Sequence, residues 1–455
     1  MNIKDKLIIK IAKFSRFLLK ITNHKATSLP GKIAYNLDNN ILSALSENTK
    51  FIFVTGTNGK TMTTHFVTNI LRKHYKHVFT NDSGSNMIQG IITVLLDVPK
   101  DENTIAVLEV DEANLVRISK FLKPDYVILT NIFRDQMDRF GEIYNVYKKI
   151  MDGLKNCDSV KVIANGDLPI FSYYDLKNYK PIYCGIREDD KLNNAYTLEA
   201  EFNSDGILCP KCNSILKYKL VNYSSLGDFS CPSCDFHSPD LSYNISKILS
   251  MDANFSKFIV NDREYETQIG GFYNIYNALS AIALAEELKI PYDKIYEGLK
   301  FQEHVFGRQE LVQIEGKNLV INLVKNPTGL NQIINLMLLE KDPISLYCLL
   351  NDNYADGTDV SWIYDSYYEK LKEMNIKSIK VSGTRKSDMK RRLEIANIFA
   401  GEIKEFNFEN EIFENIKNES TNKIYILSTY TAMLRLREVL KLKWLLIFAI
   451  YMEIC

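Results

Sequence analysis

Net charge is the first thing this chain lacks. Its 455 residues carry 56 Lys and Arg against 56 Asp and Glu, so no long-range field selects nucleic acid as the main partner. Cysteine is scarce and unevenly placed. The eight residues, at 157, 184, 209, 212, 231, 234, 348 and 455, are too few and too clustered for a disulfide framework, and no signal-peptide pattern opens the sequence. The expectation is a cytoplasmic protein. Long apolar runs are also missing. WLLIFAIYM, residues 444–452, falls short of the roughly 20 residues that cross a bilayer and reads as a packed terminal element. What remains is ordinary globular composition, 46% hydrophobic and 25% charged. The length suits roughly two to four domains.

The stretch that carries chemistry is FIFVTGTNGKT, residues 51–61. Its apolar and β-branched opening predicts a buried strand, Gly56 and Gly59 predict a tight turn, and a helix is expected from about Thr61. Such a turn brings several backbone N–H groups and a helix N-terminus onto one polyphosphate, which only residues without a Cβ permit at close range. Gly56, Thr57, Asn58, Gly59, Lys60 and Thr61 form the predicted cradle. Lys60 would meet the β- and γ-phosphates, and the Thr61 hydroxyl would ligate Mg²⁺. Val54 stands where the strict P-loop pattern asks for Gly, so GTNGKT is a shortened form.

From residue 51 onward apolar strands alternate with helical patterns, as in a mostly parallel α/β sheet. Strands are expected at 51–55, 78–80, 105–110, 126–130, 160–163 and 182–184. Glu109 closes an apolar run and could hold a second metal or the Mg²⁺-bound water opposite Thr61. Asn131, Arg134, Asp135, Gln136, Asp138 and Arg139 crowd a loop just past a strand, where open α/β sheets place ligands. Asn165 and Asp167 form a further polar strand end. Beyond Gly270 and Gly271 lies an Ala- and Leu-rich helix with Asn274 and Asn277 in its first turns, where Asn can meet an adenine edge or cap the helix. After a boundary near residue 310, strands at 319–323, 345–350, 379–382 and 424–427, each with a loop and helix behind it, predict a second, smaller α/β domain.

Two further segments stand apart. The first 25 residues hold six Lys and one Arg against Asp5 alone, with apolar residues at helical spacing, so an amphipathic basic helix is expected. Its apolar face can pack on the protein or meet an anionic membrane surface. CPKC at 209–212 and CPSC at 231–234 are separated by 18 residues, the spacing of a four-cysteine zinc ribbon. Cys209, Cys212, Cys231 and Cys234 would close a structural tetrahedron with no open position. Without a dense Lys/Arg patch the ribbon reads as a stiffening insertion, not a nucleic acid reader, and His237 as a surface residue.

GTNGKT, LEVDEA, TNIFRDQMDRFGE, the GGFYNIYNALSAIA helix and FGR, in that order, resemble the Mur ligase family, whose ATP-dependent members activate a carboxylate as an acyl phosphate for attack by an amine. The loop arrives after only 50 residues, so the UDP-sugar-binding domain of the main Mur ligases is not expected, and the ribbon is expected to interrupt the central domain. Both departures, with INLVKNPTGLN at 321–331 and LNDNYADGTDVSWIYD at 350–365, resemble the MurT branch, the subunits of lipid II isoglutaminyl synthase. The resemblance implies an N-terminal segment at 1–50, a central ATP-binding domain at 51–310 with the ribbon at about 200–240, and a Rossmann-like α/β domain at 311–455. It implies amidation of the D-glutamate α-carboxylate in the lipid II stem peptide with ammonia from a GatD-type glutaminase partner. By motif, Lys60 and Thr61 would hold the triphosphate and Mg²⁺, Glu109 the metal, Asn277 the adenine, and Arg308 the phosphates at the domain junction. Asp359 would orient the glutaminase His, with Asp352 and Asp356 as rivals on one loop. Gln136 stands where the family usually has His. The location implied is cytoplasmic, with a peripheral place at the inner membrane face. Two readings share parts of the pattern: a folylpolyglutamate synthase-like ligase and a non-enzymatic zinc-ribbon module.

Overall fold

In the structure, a computed structural model, the described residues are 3–21, 28–81, 86–99, 104–135, 143–157, 159–188, 190–201, 204–301 and 307–440. They form two compact units, one of Met1–Phe133 with Glu142–Gln302 and one of Arg134–Gly141 with Glu303–Cys455.

The first unit is built on an α/β sheet whose strands, in chain order, are β1 (Thr49–Thr55), β2 (His77–Thr80), β3 (Thr104–Glu109), β4 (Tyr126–Leu129), β5 (Lys161–Asn165) and β6 (Ile182–Ile186). A hairpin of β7 (Lys217–Tyr223) and β8 (Leu226–Ser230) follows, then β9 (Tyr243–Met251), β10 (Ser256–Val260) and β11 (Arg263–Thr267). The sheet order among the described residues is β11-β10-β9-β6-β5-β4-β1-β3-β2. Pairing is parallel from β2 across to β9, while β9, β10 and β11 run antiparallel. β1 and β3 read as nearly continuous apolar runs because both of their faces are covered: residues 51–55 and 104–109 are all buried. The antiparallel extension is not among the predicted strands. β10 and β11 show the half-buried alternation of a sheet with one wet face, a weaker signal than a buried run.

The N-terminal residues fold as α1 (Ile3–Ile21), α2 (Leu29–Leu37) and α3 (Ile41–Leu45). α1 packs with one face, burying Ile8 and Ala12, and leaves the other to solvent. Both expected uses of its apolar residues therefore remain available on one helix. α2 approaches α5 (Ile88–Leu95) closely: a Cβ on Gly31 would lie 1.9 Å from the Gln89 carbonyl. Among the described residues no helix is long and apolar enough to cross a membrane.

The second unit carries β12 (Glu310–Ile314), β13 (Lys317–Leu323), β14 (Ile344–Leu349), β15 (Ile376–Ser382), β16 (Lys404–Glu405) and β17 (Lys423–Ser428). Their order is β12-β13-β17-β14-β15-β16, parallel except for the β12–β13 pair. The sequence predicts a loop and a helix behind each strand. Behind β14 the chain instead makes two 3₁₀ turns, Ser361–Asp365 and Tyr368–Glu373, anchored by the fully buried Ile363, Tyr368 and Leu371. Those anchors, five and three residues apart, do not repeat at the spacing that lays a helix face on a core.

Candidate functional site

β1 ends at Thr55, and the helix α4 (Lys60–Arg72) starts after four intervening residues, Gly56 to Gly59. Gly56 (φ +129°) and Gly59 (φ +83°) take backbone conformations that a side chain resists. Space is closed as well as conformation. A Cβ on Gly56 would meet Thr130 Oγ1 at 2.3 Å, and one on Gly59 would meet Asn277 Oδ1 at 2.2 Å.

The turn is braced from the end of β4. Thr57 N–H donates to the Asn131 carbonyl at 2.8 Å, and Asn58 N–H to the Asn131 side-chain oxygen at 2.9 Å. The Thr130 hydroxyl and the Asn131 amide both donate to the Asn58 carbonyl. Thr57 Oγ1 accepts from Phe133 N–H at 3.1 Å. Lys60 lies almost buried beneath the loop, its ammonium donating to the carbonyls of Gly56 and Thr57 (3.3 Å) and to Glu112 Oε1 at 3.3 Å. Thr61 Oγ1 donates to Glu109 Oε2 at 2.9 Å. The backbone of Glu109 is fixed by the Asn81 side chain, whose amide donates to the Glu109 carbonyl and whose oxygen accepts from Glu109 N–H, both at 2.8 Å, and the Glu109 carboxylate accepts from the Asn86 amide at 3.5 Å. A hydroxyl and a carboxylate are thus held side by side at a helix N-terminus, the oxygen donors that suit Mg²⁺.

Helix Phe272–Glu287 brings Asn277 against the same turn. Its Oδ1 accepts from Thr63 Oγ1 at 3.3 Å, and its amide donates to Asn274 Oδ1 at 3.2 Å. Asn274 in turn donates to the Gly270 carbonyl at 2.8 Å, a bond at the helix entrance.

The four cysteines converge as their spacing predicts. Cys209 and Cys234 sulfurs lie 3.5 Å apart, Cys212 and Cys231 sulfurs 3.4 Å apart, and all four lie within 4.8 Å of one another. A tetrahedral zinc with sulfur ligands at about 2.3 Å needs edges of about 3.8 Å, so the donor set fits the ion with small adjustments. Backbone N–H groups of Lys211 and Ser233 point at the Cys209 and Cys231 sulfurs at 3.4 Å, the kind of support that thiolates on a metal receive. Burial pushes the Cys209 thiol up, while Ser214 pulls the Cys212 thiol down. The hairpin rising from this cluster ends in Tyr223, whose ring packs 6.1 Å from Phe133, 6.4 Å from Phe272 and 5.7 Å from Tyr276. Fully buried Asp167 ties the same parts together, accepting from Tyr276 OH at 2.6 Å, Ile186 N–H at 2.8 Å, Asn222 at 3.2 Å and the Arg187 guanidinium.

In the second unit the three acids of one loop separate. Asp356 is buried and accepts from Thr431 N–H at 2.7 Å and from the Thr431 hydroxyl. Asp352 is held by Arg385 at 3.1 Å and by Thr384 at 2.8 Å. Asp359 is exposed. Its Oδ1 accepts from Ser361 N–H at 2.8 Å, and the Ser361 bonds hold its carboxyl below the ordinary aspartate value.

The Mur ligase middle domain family matches residues 54–231 and the MurT ligase C-terminal family residues 323–433. The chain is 43% identical over 97% of its length, and 98% of the relative's, to the lipid II isoglutaminyl synthase (glutamine-hydrolyzing) subunit MurT of Streptococcus pneumoniae. This chain belongs to the Mur ligase family, in its MurT branch. Its likeness to the Staphylococcus aureus (strain COL) subunit of the same name is 34% over 86% of this chain and 87% of that one. Among solved structures, a pseudomurein peptide ligase type C from Methanothermus fervidus superposes with a TM-score of 0.63 at 20% identity, covering 86% of this chain and 78% of the other. At that identity it shows the shared fold.

In this Mur ligase, Gly56, Thr57, Asn58, Gly59, Lys60, Thr61, Glu109 and Asn277 come together in the first unit. Arg308 and Asp359 belong to the second unit, where Arg308 Nη1 donates to the Gly307 carbonyl at 3.1 Å. The polar loop after β4 divides. Asn131 braces the phosphate turn, whereas Arg134 pairs with Asp365 at 2.8 Å and Asp135 with Lys325. Gln136, Asp138, Arg139, His304 and the apolar tail 444–452 lie outside the described residues. His237 is exposed, its ring Nδ1 against the Ser238 carbonyl at 2.7 Å. Glu112 and Asn81 are not among the residues expected from the sequence. Glu112 sits inside the LEVDEA motif, three residues past Glu109, and that offset across a strand-to-helix corner carried a signal. Asn81 follows an unremarkable edge strand and carried none.

Proposed function

We propose that this Mur ligase amidates the α-carboxylate of D-glutamate in the lipid II stem peptide to D-isoglutamine, on the cytoplasmic side, with ammonia supplied by a GatD-type glutaminase in a heterodimer. The observation that carries the reading is the 43% identity along 97% of the chain to a relative named as that synthase's MurT subunit. The phosphate turn supports it independently.

ATP with Mg²⁺, when bound, supplies the γ-phosphoryl group that converts the carboxylate to an acyl phosphate, which ammonia then converts to the amide with release of phosphate. The chain's own residues do the holding. N–H groups of the glycine turn and the N-terminus of α4 would face the phosphates, and Lys60, exchanging Glu112 and two carbonyls for phosphate oxygens, would offset their charge. Thr61 and Glu109 would hold the metal, and Asn81 keeps Glu109 aimed at it. Asn277 would contact the adenine, and Arg308 the phosphates. Asp359, ionised and exposed with one oxygen used by its own turn, would orient the partner's catalytic His. The burial of Asp356 and its bonds to Thr431 favour Asp359 over it. Cys209, Cys212, Cys231 and Cys234 would hold a structural zinc.

The test is mass spectrometry of lipid II incubated with this chain, a GatD-type partner, ATP and glutamine. The expected product is lighter by the difference between a hydroxyl and an amino group. Unchanged lipid II, or equal conversion by Lys60→Ala, overturns the reading.

A further inference from the structure

Helix α1 is apolar on two sides. One side, formed by Ile8, Ile9, Ala12, Ser15 and Arg16, packs inward. The other carries Ile3, Leu7, Ile11, Phe14, Phe17 and Leu18, which are 86, 58, 42, 62, 58 and 47% exposed. Their spacing of four, four, three and four along Ile3, Leu7, Ile11, Phe14 and Leu18 makes one continuous stripe, with Phe17 beside it. No other stretch of the described residues exposes as many large apolar side chains in so short a span.

Burial of Ile8 and Ala12 on the opposite face keeps the stripe outward. Lys4 pairs with Asp38 at 2.6 Å, and Arg16 bonds Asp97 and the Thr93 carbonyl, so α1 is tied at both ends to elements packed on the first unit. The borders of the stripe are basic. Lys6, Lys10 and Lys13 are exposed along one side and Lys4 along the other, while the sole acid of α1, Asp5, is 9% exposed on the packed face.

We infer that this face of α1 lies on an anionic lipid bilayer, its apolar stripe in the boundary between headgroups and acyl chains and its lysines among the phosphates. Charge complementarity selects the lipid surface over a second copy of the chain, whose identical face would set lysine against lysine. The inference builds on the proposed function in one respect: a substrate carried on a lipid is met where the helix docks. The surface itself stands without that function.

The experiment is vesicle flotation of the full chain, free and with its glutaminase partner. The vesicles are phosphatidylcholine alone or an equal mixture with phosphatidylglycerol, at low and high salt. The parent is expected to float with the anionic vesicles and to be released by salt. Leu7→Ser/Phe14→Ser/Phe17→Ser changes only exposed side chains and is expected to lower partitioning by about tenfold or more. Lys6→Gln/Lys10→Gln/Lys13→Gln is expected to lose about fivefold per charge on anionic vesicles alone. Both variants should amidate detergent-dispersed substrate at the parent rate and vesicle-borne substrate more slowly. The inference is overturned if the parent floats with neither vesicle or with both alike, or if the serine variant floats like the parent. A parent that dimerises through this face, with the serine variant monomeric, also overturns it. If amidation fails in every format while flotation behaves as expected, the functional reading falls and the lipid face stands.

Discussion

Replacing Gly59 by Ala tests the phosphate turn at the point where conformation and packing both forbid a side chain. Gly59 has φ +83° and ψ −10°, and an L-residue held in the left-handed region costs about 1–2 kcal/mol. The added Cβ would also lie 2.2 Å from Asn277 Oδ1, so Asn277 must retreat. Its bonds to Thr63 at 3.3 Å and to Asn274 at 3.2 Å then weaken or break, at about 0.5–1.5 kcal/mol each. The sum is about 2–5 kcal/mol, shared between folding stability and the geometry of the nucleotide pocket. If half falls on binding, about 1–2.5 kcal/mol, ATP affinity drops about fivefold to seventyfold. Calorimetric titration with a non-hydrolysable ATP analogue reads the affinity, and a thermal melt reads the stability. The clash has its own signature. Asn277→Ala added to Gly59→Ala should cost less than the two single variants summed, by about 1–3 kcal/mol. A Gly59→Ala protein that binds nucleotide like the parent and melts at the same temperature, or a double variant whose costs simply add, refutes the reasoning.

Asp359→Asn should abolish glutamine-dependent amidation and leave ammonia-dependent amidation intact, measured side by side. Asp356→Asn should instead lower the melting temperature, because it weakens a buried acceptor of Thr431. Chelating the four-cysteine site, or Cys212→Ser, should weaken nucleotide binding by about tenfold, since Tyr223 at the hairpin end packs on Phe133, Phe272 and Tyr276 and such ring contacts are worth about 0.5–1.5 kcal/mol each. A binding titration on metal-loaded and metal-free protein reads it. In the second unit burial pushes Glu419 up, but Lys380, Ser378, Ser345 and Tyr347 more than offset this and hold it below its ordinary value of 4.5. A depressed folded value means that the stabilisation is present above about pH 4.5 and is lost as pH falls through the folded value. Glu419→Gln, which leaves Lys380 without its anion, should cost about 3 kcal/mol near neutrality and progressively less in acid. Hydrogen exchange in β14 and β17 across that range measures both effects.

What was legible in the residues alone was the chemistry that is local. A buried strand, two glycines, a lysine and a threonine within eleven positions specify a phosphate turn, because the conformations involved span only a few residues and glycine alone adopts them cheaply. The two CxxC pairs were legible for the same reason, since a knuckle is a local loop and thiolates in fours have few other uses. The order of motifs carried the family. Tertiary structure decided whatever depends on burial between distant positions. Asn131 braces Thr57 and Asn58 from more than 70 residues away, a partnership with no periodicity to betray it. Three aspartates within eight positions look alike as letters. Only the fold shows that Asp356 is spent on Thr431 while Asp359 faces solvent. The N-terminal helix makes the same point. Its residues announced a basic amphipathic helix, but an apolar stripe packs or stays bare according to what stands opposite it, and that is settled by where α2 and α5 lie.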